Sequence, residues 1–95
     1  MPLEFYSTTP TLSGQGEIEI DLPNEPFELN SQPCNTLTIV NTIGSNLYAS
    51  KDFFNTSMLI LPNTAFTFTN ITNANQIRLQ KTSIGSQIVY YNWSN

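Results

Sequence analysis

Apolar and polar side chains alternate in short runs along this chain, and Pro, Gly or Asn interrupts the runs every eight to twelve positions. An alternation of period two places one face of each run toward a core and the other toward solvent, which a β-strand does and a helix does not. Glu17-Ile18-Glu19-Ile20-Asp21-Leu22 alternates without fault, with Ile18, Ile20 and Leu22 on the inward face and three carboxylates opposite, until Pro23 ends the strand. Thr36–Asn41 repeats the pattern with Leu37 and Ile39 inward. The turn chemistry of Gly44-Ser45-Asn46 then predicts a hairpin with Leu47–Ser50. Further on, Phe66 with Phe68 and Ile77 with Leu79 are the expected inward pairs, and no stretch carries a helical period. Ser57–Leu61 is apolar on both faces, which predicts cover on both, from this domain or a neighbour. Gln87–Trp93 carries large side chains on both faces.

The chain therefore reads as all-β, a single small antiparallel β-sandwich of about seven to nine short strands, jelly-roll-like or immunoglobulin-like. Its 95 residues, 39% of them apolar, form one domain over residues 1–95 with a compact core and a modest stability margin. Residues 1–15, with Leu3–Ser7 at their centre, are expected to form an arm or an edge strand.

What the chain lacks constrains its function. There is no His, one Cys, three basic and seven acidic residues. A Ser or Cys nucleophile needs a base, paired carboxylates need a cleft, and neither a Gly-rich phosphate loop nor a Cys/His cluster is present. No catalytic, cofactor or metal residue is assigned, and the expectation is a non-enzyme. Glu17, Glu19 and Asp21 share a strand face at about 7 Å spacing, workable for a hard cation given loop oxygens; a charged face protecting an edge strand is the simpler account. Arg78, Lys51 and Lys81 are too few to neutralise a phosphate backbone, so nucleic acid is not an expected partner. No apolar run approaches the ~20 residues that span a bilayer, and the start has no secretory pattern, which predicts a protein made in the cytoplasm. Cys34 reads as a small, inert, partly buried side chain. Sequons at Asn55, Asn70 and Asn92 carry no weight, because 12 Asn and 21 Ser plus Thr in 95 positions produce about two or three by chance.

The surface left over is neutral and polar, and it costs little to desolvate against a subunit or a sugar. Phe53, Phe54, Tyr90, Tyr91 and Trp93 are the candidate interface, with Phe53 and Phe54, in a loop after Asp52, its best anchors. The alternative use of the aromatics, Phe5, Tyr6 and Tyr48 included, is to stack on sugars beside an Asn-rich rim, as a carbohydrate-binding or host-recognition module. Six of the acidic residues fall in the first 28 positions, an asymmetry that would also suit an inhibitor facing a basic surface.

From Cys34 onward, about 60 of the 95 residues carry segments such as Ile-Leu-Pro-Asn-Thr-Ala-Phe-Thr-Phe (60–68) and Asn-Ala-Asn-Gln-Ile-Arg-Leu (73–79). In strand order and in these segments the chain resembles the small β-sandwich structural proteins of bacteriophage particles, which decorate capsids or serve as minor capsid, vertex or fibre-attachment components. The resemblance implies location in the virion, homo-oligomers and other virion proteins as partners, the major capsid protein first among them. The first 33 residues have no counterpart in it and are expected to add a strand pair or an arm.

Overall fold

The computed structural model describes residues 13–95, and the expected arm at Leu3–Ser7 lies outside them. Within the described residues the strands are β1 (Ser13–Ile20), β2 (Phe27–Glu28), β3 (Thr36–Val40), β4 (Leu47–Ser50), β5 (Met58–Ile60), β6 (Ala65–Thr69), β7 (Arg78–Lys81) and β8 (Gln87–Ser94). A 3-10 turn, Ala74–Gln76, precedes β7. A first sheet has the order β1-β8-β3-β6 and a second the order β2-β7-β4-β5, with every pair antiparallel. The expected all-β sandwich is thus the observed one. Ser13–Gln15 belong to β1, an edge strand of the first sheet.

One rule governs the pairing. β1 pairs with β8, β2 with β7, β3 with β6 and β4 with β5, so the chain runs out as one half of a two-stranded ribbon, reverses after β4 and returns as the other half. Successive rungs of the ribbon lie in alternate sheets, and the windings join through β3 with β8 and β4 with β7. This is jelly-roll winding; an immunoglobulin-like sandwich keeps consecutive hairpins within a sheet. The hairpin expected between β3 and β4 does not form, because the two strands lie in different sheets. Asn41 turns the chain across the sandwich before the glycine-containing turn is reached.

Along the inner face of the first sheet, Gly14, Trp93, Leu37 and Phe68 form one cross-strand row, and Gly16, Tyr91, Ile39 and Phe66 the next. The Phe66 and Phe68 rings meet edge to face at 4.9 Å. Leu47, Ala49, Ile60 and Leu79 supply the opposing face. The two glycines are occupied by aromatic rings: a Cβ on Gly14 would lie 2.7 Å from the Trp93 indole, and one on Gly16 would lie 2.6 Å from the Tyr91 hydroxyl. The start of β1 therefore needs no apolar side chains of its own.

Two of three local expectations are corrected. Leu22 is 58% exposed rather than inward, because β1 ends at Ile20 and the chain bends and turns over residues 22–25. Of the two faces expected to be covered at Ser57–Leu61, this domain covers the one that carries Ile60; Leu59 and Leu61, on the outer side of the edge strand β5, are exposed in the single chain. Cys34 is wholly a core residue, and burial pushes its thiol pKa up.

At each of three corners both strands of the ribbon leave one sheet for the other, and the ladder hydrogen bonds stop. One polar side chain pins each corner. Between β1–β2 and β7–β8, the fully buried Lys81 donates from Nζ to the Gly85 carbonyl and to Gln87 Oε1 at 3.1 Å, and its carbonyl accepts from Asn24 N–H at 2.7 Å. Between β2–β3 and β6–β7, Asn73 Oδ1 accepts from the N–H groups of Gln32 and Asn75 at 2.9 and 3.0 Å, and Gln76 Oε1 caps the Asn73 N–H. Between β3–β4 and β5–β6, Asn41, fully buried, donates from Nδ2 to the carbonyls of Ser45 and Ile60 at 2.9 and 2.8 Å. Its Oδ1 accepts from Ile43 N–H at 3.0 Å, and its own backbone bonds Asn63 and Thr64. Each corner also holds one Asn in left-handed backbone, Asn24, Asn70 and Asn63 respectively, a conformation that Asn tolerates better than most residues.

Three substitutions test this architecture. Asn41→Ala strands two buried carbonyls and one N–H, and we expect a loss of roughly 2–4 kcal/mol in urea unfolding with an unchanged denaturant slope. Gly16→Val forces the Tyr91 ring aside and is expected to cost about 1–3 kcal/mol. Gly44→Ala, at a position with open space around it, should cost nothing measurable.

Candidate functional site

The ribbon reverses in the loop between β4 and β5, residues 51–57, and this tip carries Phe53 and Phe54. Ser50, buried at the end of β4, organises it. Its Oγ donates to Asp52 Oδ1 at 2.6 Å and accepts from the N–H groups of Asp52 and Phe54 at 3.1 and 2.9 Å. Asp52 Oδ1 also accepts from Thr56 N–H at 3.0 Å, and the Asp52 carbonyl accepts from Asn55 N–H at 3.2 Å. Hydrogen bonds from the Ser50 hydroxyl and then the Thr56 backbone favour the charged carboxylate, so the Asp52 pKa lies below the usual aspartate value.

The clamp holds an unfavourable backbone. Phe53 and Phe54 have φ values of 56° and 64°, whereas the other positive-φ positions among the described residues are Asn24, Asn63, Asn70 and Gly85. A bulky side chain in that region costs on the order of 1 kcal/mol or more. Phe53 is nevertheless 72% exposed. One face of its ring lies on Arg78, with the guanidinium carbon 3.7 Å from the ring centroid, and Arg78 also pairs with Glu28 at 3.3 Å. Arg78 and Glu28 sit opposite one another and alternate with the inward Leu79 and Phe27, so the Glu28–Arg78–Phe53 stack stands on the outer face of the second sheet.

The five aromatics read as one candidate interface are dispersed over the molecule. Phe53 and the half-buried Phe54 form the tip. Tyr90, 47% exposed, lies on the outer face of the first sheet. Tyr91 and Trp93 point inward on the same strand and pack over Gly16 and Gly14, which accounts for them without a neighbouring subunit. Glu17 and Glu19 face outward, and among the described residues no three His, Cys, Asp or Glu side chains gather into a group that could hold an ion.

The structural roles of Asn41, Ser50, Asn73 and Lys81 went unnoticed in the sequence. Asn41, Ser50 and Lys81 are common polar residues whose only signal is position at the end of an apolar run, and in a chain so rich in such residues that signal is weak; Asn73 carries the further signal of Gln76 three residues on, the spacing of a capping box. Of the three cations, Lys81 is enclosed and Arg78 is engaged by Glu28 and Phe53, which leaves Lys51 exposed in the tip.

No family model and no curated protein matches this chain. Among solved structures, a de novo designed double-stranded β-helix determined by NMR in solution is similar, with a TM-score of 0.59 and 17% identity over 86% of this chain and 99% of the designed one. That likeness is one of fold alone: a two-stranded ribbon wound through alternate sheets.

The tip clamp has its own test. The Asp52 carboxyl carbon should titrate by NMR below the ~3.9 of a free aspartate. Because the folded value is lowered, the stabilisation it gives the loop is present above the unfolded value and is lost as pH falls through the folded one. Asp52→Ala is expected to remove exchange protection from the Phe54 and Thr56 amides while β3 stays protected. Titration at or above the free value would contradict the clamp.

Proposed function

We propose that this protein is a non-enzymatic structural component of a bacteriophage particle, made in the host cytoplasm and built into the virion. There it stabilises or decorates the capsid, or completes a vertex or fibre base, through contacts with its own copies and with the major capsid protein. The observation that carries this reading is the tip. Two phenylalanines are held in a backbone conformation that elsewhere in the described chain is left to Asn and Gly, and one of them is presented to solvent on an arginine. Strain of this kind persists where the surroundings impose it, and it concentrates at sites of recognition. An exposed aromatic beside an arginine is the composition of an interface anchor.

Supporting features lie nearby. Leu59 and Leu61 expose apolar surface along the β5 edge, which a second subunit would cover. Jelly rolls recur in viral shells, an argument from fold analogy only. The neutral polar surface suits repeated copies that bury one another, and assembly adds stability by mass action to a domain of small size.

Phe53→Asn separates assembly from folding. Asn relieves the left-handed strain while the cation–π contact, worth about 0.5–1 kcal/mol, is lost, so the unfolding free energy of the isolated chain should change by less than about 1 kcal/mol. Assembly, followed by light scattering and by proteomics of purified phage particles, should weaken at least tenfold, as for an anchor worth about 2 kcal/mol. A wild-type chain that is strictly monomeric and absent from particles overturns the proposal. So does a variant whose folding and assembly fall together.

A further inference from the structure

The outer face of the first sheet carries a second, chemically different surface. β8 runs between β1 and β3, and three open depressions of about 450, 300 and 410 Å³ follow it. The first and second share Gln15 and Asn92, and the second and third share Tyr90, so they form one trough along the strand. With eight residues in β8, the trough is roughly 25 Å long.

Its lining is ordered by the register. Gln15 lies opposite Asn92, Asn92 opposite Thr38, and Thr38 opposite Thr67, whose hydroxyl is 2.8 Å from that of Thr38. One step along the strands, Ser94 and Thr36 continue the pattern. These groups repeat at about 4.8 Å across strands and about 7 Å along them. Among the described residues, the Gln15 and Asn92 side-chain amides make no hydrogen bond to the protein, so their donors and acceptors face the trough unengaged. The adjacent outward residue on β8 is Tyr90, with nearly half of its surface open.

We propose that this trough binds a linear, neutral oligosaccharide along β8, with Tyr90 stacked on a sugar ring and Gln15, Asn92 and Thr38 hydrogen-bonded to its hydroxyls. Spaced neutral donors and acceptors beside one aromatic plane match a polyhydroxylated ring, and they are stripped of water at lower cost than charges. Acidic glycans and nucleic acids are disfavoured, because Glu17 and Glu19 line the β1 side and the cations lie on the second sheet and the tip. A protein partner would need an apolar centre, and the Gln15–Asn92–Thr38 row has none; the exposed apolar side chain of the trough, Ile88, lies at its end beyond Tyr90. This inference reaches beyond a structural role, giving the particle a means of holding a surface glycan. It uses the sheet opposite the Phe53 stack, so either proposal can fail without the other.

The test is an array of neutral, amino and acidic oligosaccharides, followed by calorimetric titration of the best-retained neutral one. Neutral glycans should be retained, and Tyr90→Ala and Asn92→Ala, both at exposed positions, should each weaken binding at least tenfold with the thermal midpoint unchanged. Gln80→Ala, on the second sheet, should bind as wild type. Retention of no neutral glycan by folded protein, retention of acidic glycans only, or undiminished affinity in both trough variants would overturn the proposal.

Discussion

A two-stranded ribbon that changes sheets must abandon its own hydrogen-bond ladder at every corner, and this chain does so three times. Backbone groups released there are shielded from water by the sandwich, and a buried unpaired carbonyl or N–H costs about 1–3 kcal/mol. Lys81, Asn73 and Asn41 answer that demand in turn. Asn73 and Asn41 reach with their side chains from one half of the ribbon to the other, whereas Lys81 ties its own β7–β8 link with its ammonium and meets the other half through its carbonyl. The corner, rather than the strand, is thus where this sequence commits to jelly-roll winding. Asn24, Asn41, Asn63, Asn70 and Asn73 answer to the same constraint, since the corners need short amides that bond locally and residues that accept left-handed backbone.

Lys81 shows how far the constraint is pressed. A buried ammonium is costly without compensation, and here no carboxylate is among its hydrogen-bond partners; a carbonyl and an amide oxygen receive it. The arrangement consumes one of only three cations in the chain. Arg78, bound to Glu28 and covered by Phe53, consumes another. Among the described residues the outer face of the first sheet carries no positive charge, which is the electrostatic ground for assigning it a neutral ligand.

Strand identity was legible because burial on one face imposes period two, and Leu37, Ile39, Phe68, Leu79 and Val89 all carry it into the core. Strand pairing was not legible, for it depends on contacts remote in sequence. Gly44-Ser45-Asn46 has the chemistry of a hairpin turn, but Asn41 had already bound the carbonyl of Ile60, nineteen residues away, and so sent β4 to the other sheet. Tyr91 and Trp93 looked available for a neighbour because nothing local reveals that Gly16 and Gly14 lie across from them. The tip was visible as a loop with two phenylalanines. Its left-handed backbone was not, since no local rule places phenylalanine there.

The tip also cannot be separated from the fold that carries it. Ser50, which clamps the loop, lies opposite Arg78 in the β4–β7 pair, and Arg78 lies opposite Glu28 in the β7–β2 pair. One register therefore sets the hydroxyl that orders the loop, the guanidinium beneath Phe53 and the carboxylate that steadies the guanidinium. A slip of a single residue between β4 and β7 would turn Ser50 or Arg78 toward the core and dismantle the stack, while also exposing Leu47 and Ala49. Burial of those two side chains consequently holds the Phe53 platform in place, and the strain in the tip persists because the core of the second sheet opposes any movement that would relieve it.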